Sequence, residues 1–159
     1  MQSATNTSTV SVWVSAFRLR TLPLALASIG MGSFRAAAAG HFNLAVFVLC
    51  ALTTVFLQIL SNLANDYGDS VHGADHAGRS GPQRAVQSGR VSAAAMRNAV
   101  ALFAGLALAT GIALLYVALR DASVQTVVAF FGLGLLSIAA AIPYTPSKRP
   151  HRYTGLRDV

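Results

Sequence analysis

Four stretches of the chain are apolar over most of a membrane's width, and its polar positions gather between them. Residues 22–39 (broken by Arg35), 44–63, 99–119 and 124–144 each approach or reach the roughly 20 residues that a helix needs to cross a hydrocarbon core. The third run carries no charge at all. This pattern predicts an all-α fold: a polytopic membrane helix bundle with four transmembrane helices, forming a single membrane domain over residues 1–159. Polar breaks at 40–43 and 120–123 predict short turns, and the longer polar segment 67–91 predicts a loop of the kind that is usually functional or disordered.

Before the first span, Trp13 and Phe17 precede Arg18 and Arg20, so residues 1–21 are expected to form an interfacial segment with an aromatic anchor. Arginines followed by an apolar run ending in small residues also outline a secretory signal, but three further spans follow, which argues for a membrane helix. Pro143, Pro146 and Pro150 end the fourth span, because proline lacks the amide hydrogen that a continuing helix uses, and a basic tail over 145–159 follows. Small residues four apart, Ala101 with Gly105 and Ala107 with Gly111, are places where helices can approach closely.

Composition agrees with the pattern. The 159 residues are 54% hydrophobic and 11% charged, against roughly 25% charged in an ordinary soluble domain. The net charge of +7 comes from 12 Lys and Arg dispersed between apolar runs rather than gathered into a stripe, so nucleic acid is not expected as a partner, whereas a lipid bilayer is. Charge also sets an orientation. With the N-terminus in the cytoplasm, ten of the 12 basic residues lie inside and only Arg35 and Arg120 outside, which predicts a multi-pass protein of the cell inner (plasma) membrane with its 67–91 loop and its tail on the cytoplasmic face. The single cysteine, Cys50, lies in an apolar run and receives no role.

The acidic residues carry the chemistry. There is no glutamate, and three of the five aspartates, Asp66, Asp69 and Asp75, fall within ten residues. On a helix of about 100° per residue, Gln58, Asn62, Asn65, Asp66 and Asp69 share an arc of roughly 100°, while Phe56, Leu60, Leu63 and Tyr67 point the other way. Unpaired polar groups are costly in hydrocarbon, so this stripe is expected to face a wet cavity opening to the cytoplasm. Asp66 and Asp69, one turn apart with Asn65 beside them, repel each other at low dielectric unless they take up a proton or hold a cation. Their oxygen donors suit magnesium, which takes one or two carboxylates and completes its shell with water and substrate phosphates. Mg2+ is therefore the expected cofactor, with Asn65, Asp66 and Asp69 as its candidate ligands.

The loop beyond supplies fitting parts. Gly68, Gly73, Gly78, Gly81 and Gly89 make it pliable, and Arg79, Arg84 and Arg90 offer forked donors for phosphate oxygens. His72 and His76, four apart and just after Asp69, have the spacing of a zinc pair, but the neighbouring glycines argue against the helix that would align them.

The run LQILSNLANDYGDSVHGAD at 57–75, followed by GRSGPQRAVQSG at 78–89, resembles the first aspartate-rich region of the intramembrane aromatic prenyltransferases. WVSAFRLRTLPLA at 13–25 resembles that family's approach to its first helix, and YTPSKRPHRYTGLRDV at 144–159 its link after the fourth, so the similarity covers essentially the whole chain. The family pattern places an Asn, an Asp four residues on and another Asp four further; Asn65 and Asp69 fit, the third position is Gly73, and Asp75 follows two later, as in the branch that serves menaquinone biosynthesis.

The resemblance implies a reaction, transfer of a prenyl group from prenyl diphosphate to 1,4-dihydroxy-2-naphthoate with loss of carbon dioxide, giving demethylmenaquinone. It implies Asp66, Asp69 and Asp75 as catalytic residues, Asn62, Asn65, Arg79 and Arg84 as substrate-binding residues, and Mg2+ at the acidic motif. It also implies a bundle of about nine helices with a second acidic motif, so the four spans are expected to be its first half, inactive alone without the missing C-terminal half. A competing expectation from the same four spans is a small cation or drug transporter subunit, in which the polar stripe conducts. Such exporters rely on a membrane-embedded glutamate, which the chain lacks.

Overall fold

The computed structural model describes residues 9–71 and 85–141, and among them every regular element is helical. In chain order these are α1 (Thr9–Phe17), a short 3-10 turn (Leu19–Thr21), α2 (Leu22–Ala38), α3 (Leu44–Val71), α4 (Ala93–Leu119) and α5 (Val124–Ala141). The expected all-α bundle is what forms. The stretch from α1 through α2, then α3 and α4, are each long and apolar enough to cross a membrane, and α5 is a shorter apolar helix.

Local chemistry explains the boundaries. α3 begins where the Asn43 side chain accepts from the amides of Ala45 and Val46 (2.9 and 3.2 Å), α4 where Ser92 accepts from Ala95 (3.1 Å), and α5 where Ser123 accepts from Thr126 (3.3 Å). α2 closes with His41 N–H on the Ala36 carbonyl and Gly40 N–H on Ala37, the paired bonds of a Schellman end, which requires the positive φ of +75° that Gly40 supplies. α4 begins at Ala93, six residues before the charge-free run expected from 99 onward. The exposed Arg97 interrupts the apolar pattern but not the helix, because the Ser92 cap and an alanine-rich first turn favour helix there.

α3 is longer than the apolar run that marks it. Its 28 residues amount to about 42 Å of helix, more than the ~30 Å hydrocarbon core. It runs through Tyr67 to Val71, so the first residues of the 67–91 segment are helical and the acidic motif rides on the last turns of α3.

The buried residues concentrate at this same end of the bundle. Leu63 and Met96 are fully buried in one cluster with Ile59, Val12, Ala16, Ala85 and Val91, and Leu60 and Ala64 are buried on the same stretch of α3. Trp13 and Phe17, expected as an interfacial anchor, are partly buried against this cluster: Phe17 meets Phe103 edge-on at 5.4 Å, and Phe103 in turn meets Phe56 at 6.0 Å. α1 thereby lies over the ends of α3 and α4. Along α3 and α4 the contact is tight where small residues allow it. Ala107 is buried, and a Cβ at Gly111 would stand 3.9 Å from Thr53 Cγ2, whereas Gly105 faces open space. Leu24, Met31, Phe34, Leu102, Tyr116, Phe130 and Leu133 are exposed, an apolar belt of the kind that lipid tails solvate.

Candidate functional site

The polar stripe of α3 divides into two parts with different surroundings. Its first part meets the junction between α1 and α2. Asn62, 5% exposed, donates from Nδ2 to the carbonyl of Phe17 at 2.9 Å and lies 3.4 Å from Thr21 Oγ1; Gln58 donates from Nε2 to the same hydroxyl at 3.3 Å. Thr21 Oγ1 itself donates to the Arg18 carbonyl at 2.9 Å. Sequence pattern alone expected these amides to face a wet cavity; in the structure Asn62 satisfies a backbone carbonyl, and Gln58 the Thr21 hydroxyl, at a break between helices. A helix end buried in the bundle leaves carbonyls that must find donors, and α3 provides one.

The second part of the stripe holds the acidic groups. Asp66 is one turn beyond Asn62 on the same face and only 3% exposed. Asn65 is half-buried beside it, and Asp69 follows on the same helix. Tyr67 packs on the other side against the hydrophobic cluster, as the helical wheel requires. An ionised carboxylate at Asp66's depth is expensive unless positive charge or hydrogen-bond donors compensate it. Asn62 and Asp66 thus share a face one turn apart, with Asn65 beside Asp66. Asp75, Arg79 and Arg84 lie outside the described residues, as do His72 and His76 of the zinc alternative. Among the described residues no three His, Cys, Asp or Glu side chains gather closely enough to hold a metal by themselves. Oxygen ligands on one helix still match an ion that needs only one or two protein carboxylates.

Two features escaped the sequence reading. Thr21 is the hub of the junction, signalled only by a threonine before Leu-Pro at a helix start. Arg18, between α1 and the 3-10 turn, has φ +51° and ψ +54°, the left-handed region, and is the one non-glycine residue with positive φ among the described residues.

Away from the acidic end, α3, α4 and α5 border an open apolar cavity of about 260 Å³, lined among others by Thr53, Leu57, Gly111, Phe131 and Ser137. The Thr53 hydroxyl is buried there without a hydrogen-bond partner among the described residues.

The sequence has relatives among known proteins. Residues 23–155 match the model of the UbiA prenyltransferase family. The chain is 43% identical over 152 residues to 1,4-dihydroxy-2-naphthoate octaprenyltransferase of Escherichia coli (strain K12), covering 96% of this chain and 49% of that protein. It is 44% identical over 156 residues to the Haemophilus influenzae protein of the same name, covering 94% and 49%, and 35% identical over 156 residues to that of Mycobacterium leprae, covering 92% and 47%. The chain thus spans about half the length of the curated relatives it matches. No solved structure gives a significant match.

Proposed function

Because this chain belongs to the UbiA prenyltransferase family, we propose that the end of α3 binds a prenyl diphosphate for transfer of its prenyl group to 1,4-dihydroxy-2-naphthoate in menaquinone biosynthesis. The observation that carries the reading is the buried Asp66 one turn beyond Asn62, on the helix whose sequence bears the family's aspartate-rich region.

The residues fit a magnesium ion. Asp66 and Asn65 present hard oxygen donors on adjacent positions of one helix, and Asp69 adds a carboxylate in the next turn. When bound, Mg2+ supplies charge that stabilises diphosphate as a leaving group. The chain's own residues do the rest. Asp66 and Asp69 hold the ion at the membrane's edge, and Arg79 and Arg84 take up diphosphate oxygens with forked donors. Asp75 is proposed as the third acidic group of the motif.

In the reaction the allylic carbon–oxygen bond breaks, its electron pair leaving with diphosphate. The ring carbon bearing the carboxylate of the naphthoate attacks the allylic carbon, and that carboxylate departs as carbon dioxide, returning the electron pair of its bond to the ring. The products are the prenylated naphthoquinol, carbon dioxide and diphosphate. A site at the rim of a bilayer suits such a substrate, since burial of its chain in lipid is worth about 0.8 kcal/mol per methylene. With ten of 12 basic residues on its side, this rim is the cytoplasmic face of the inner membrane in our reading.

The test is binding of geranyl diphosphate to the chain in phosphatidylcholine nanodiscs, with magnesium and with EDTA. We expect magnesium-dependent binding that Asp66→Asn and Asp69→Asn each abolish. Equal binding with and without magnesium, unchanged in both variants, would overturn the proposal.

A further inference from the structure

The structure assigns Arg18 as an anion-binding residue of the same site, its guanidinium directed to the diphosphate of the bound substrate. The inference rests on the prenyl diphosphate reading and adds a residue to it.

Arg18 occupies a backbone conformation that side chains disfavour. At φ +51° and ψ +54° its Cβ crowds the following carbonyl, a clash that glycine avoids, and Asn and Asp are the usual substitutes when glycine is absent. The fold nonetheless holds an arginine there. The Phe17 carbonyl just before it is bound by the buried Asn62, and the Arg18 carbonyl accepts from both the amide and the hydroxyl of Thr21, each at 2.9 Å. Gln58 steadies Thr21 in turn. Two amides of α3 and one hydroxyl therefore determine one strained residue, and such strain persists where surrounding structure over-determines it, characteristically at ligand clamps.

A bend alone does not require arginine. The break has an evident architectural role: without it, α1 and α2 would run on as one helix of 30 residues, about 45 Å, and α1 could not fold over the core end of α3. Glycine would make that break with less strain. What arginine adds is a long side chain ending in five donors in a planar fork, which matches phosphate oxygens.

Position supplies the rest. The junction is fastened to α3 at Asn62, and Asp66 is four residues further, about 6 Å along the helix. Arg18 is half-buried, not extended freely as Arg20 is. A carboxylate-held cation on one side of a diphosphate and a guanidinium on another divide its charge between them, and the arginine does so from an element other than the acidic helix. The registration of α1 against α3 then sets the spacing between the two.

The same chemistry would suit the phosphate of a lipid headgroup, so the experiment separates the two. Arg18→Gly, Arg18→Ala and Arg18→Lys are compared with wild type in phosphatidylcholine nanodiscs, measuring Kd for geranyl diphosphate with magnesium, retention of geraniol and thermal unfolding. Arg18→Gly relaxes the backbone, so it should unfold at or above the wild-type temperature and retain geraniol as before. Its Kd for geranyl diphosphate should rise about tenfold or more, the scale of a lost charge-assisted contact. Arg18→Ala should lose the same affinity, and Arg18→Lys should recover part of it.

Wild-type Kd in Arg18→Gly overturns the assignment, as does loss of geraniol retention in parallel with the diphosphate, which marks a packing defect. Phosphatidylglycerol that co-purifies with wild type but not with Arg18→Gly, at unchanged diphosphate affinity, assigns Arg18 to lipid and also overturns it. Asp66→Asn separates the two readings. If it abolishes binding and Arg18→Gly does not, only the role of Arg18 fails; if wild type shows no magnesium-dependent binding, both fail.

Discussion

Asn62 Nδ2 donates to the carbonyl oxygen of Phe17 at 2.9 Å, across 45 residues of chain. The bond fastens α1 to α3 at a position that is also a candidate substrate contact, and it has a measurable consequence. Asn62→Ala removes the donor and leaves a buried carbonyl unmatched, which costs about 1–3 kcal/mol. The variant should unfold at a lower temperature in detergent, and trypsin should cut after Arg18 and Arg20 faster than in wild type. Asn62→Asp, which sets an acceptor against an acceptor, should be worse than alanine. Wild-type stability and an unchanged digestion pattern in both variants would show that the junction does not depend on this bond.

The hydrophobic cluster makes a second prediction, which separates core from lipid-facing surface. Leu63 is fully buried and Leu133 is 59% exposed, although both are leucines on apolar helices. Leu63→Ala should cost about 2–5 kcal/mol, as removal of a buried side chain leaves a cavity. Leu133→Ala should fall within about 0.5 kcal/mol of wild type, because its surroundings exchange with lipid or detergent. Reversible unfolding in mixed micelles reads both, and equal losses would contradict the burial pattern.

These two sites mark what was legible in the sequence. The apolar runs foretold α2 to α5, whereas the caps at Asn43, Ser92 and Ser123, though a local matter of side chain and nearby amide, were found only in the structure. The angular grouping of Asn62, Asn65 and Asp66 was legible, since it needs only the helical period. What the stripe faces was not, because the partners of Gln58 and Asn62 lie 37 to 45 residues away. Trp13 and Phe17 are a related case: an aromatic pair before arginines has the same pattern whether or not it also packs on the bundle, as Phe17 does on Phe103. The left-handed Arg18 has no sequence signal, for glycine or asparagine is what such a backbone ordinarily announces.

The third prediction concerns the break itself. Thr21 bonds the Arg18 carbonyl and meets Gln58 and Asn62, so its hydroxyl holds the junction from the inside. Thr21→Val keeps the shape and removes the hydroxyl, leaving two amides with one fewer partner, and should destabilise by about 1–2 kcal/mol. Thr21→Ser should restore most of that. If valine unfolds like wild type while serine is the less stable of the two, the methyl group rather than the hydroxyl is what the site uses.

The cavity between α3, α4 and α5 supplies the last prediction, which depends on the proposed substrate. Thr53 at its wall and Asp66 are 13 residues apart on α3, about 20 Å of helix, so an apolar chain whose diphosphate lies at Asp66 would have to be several isoprene units long to reach the cavity. Gly111 stands at the cavity wall with its missing Cβ 3.9 Å from Thr53 Cγ2, ordinary contact distance, so a small side chain fits and a large one must intrude. Gly111→Ala should therefore bind short and long prenyl diphosphates as wild type does. Gly111→Phe should leave geranyl diphosphate unaffected while weakening a long-chain prenyl diphosphate about tenfold or more, because the ring fills the volume that the distal isoprene units would occupy. Binding in nanodiscs across a series of chain lengths reads the result as a break in affinity at one length. A uniform loss for every length would indicate disturbed packing of α3 on α4, and no loss at any length would mean that the chain leaves the site by another face of the bundle.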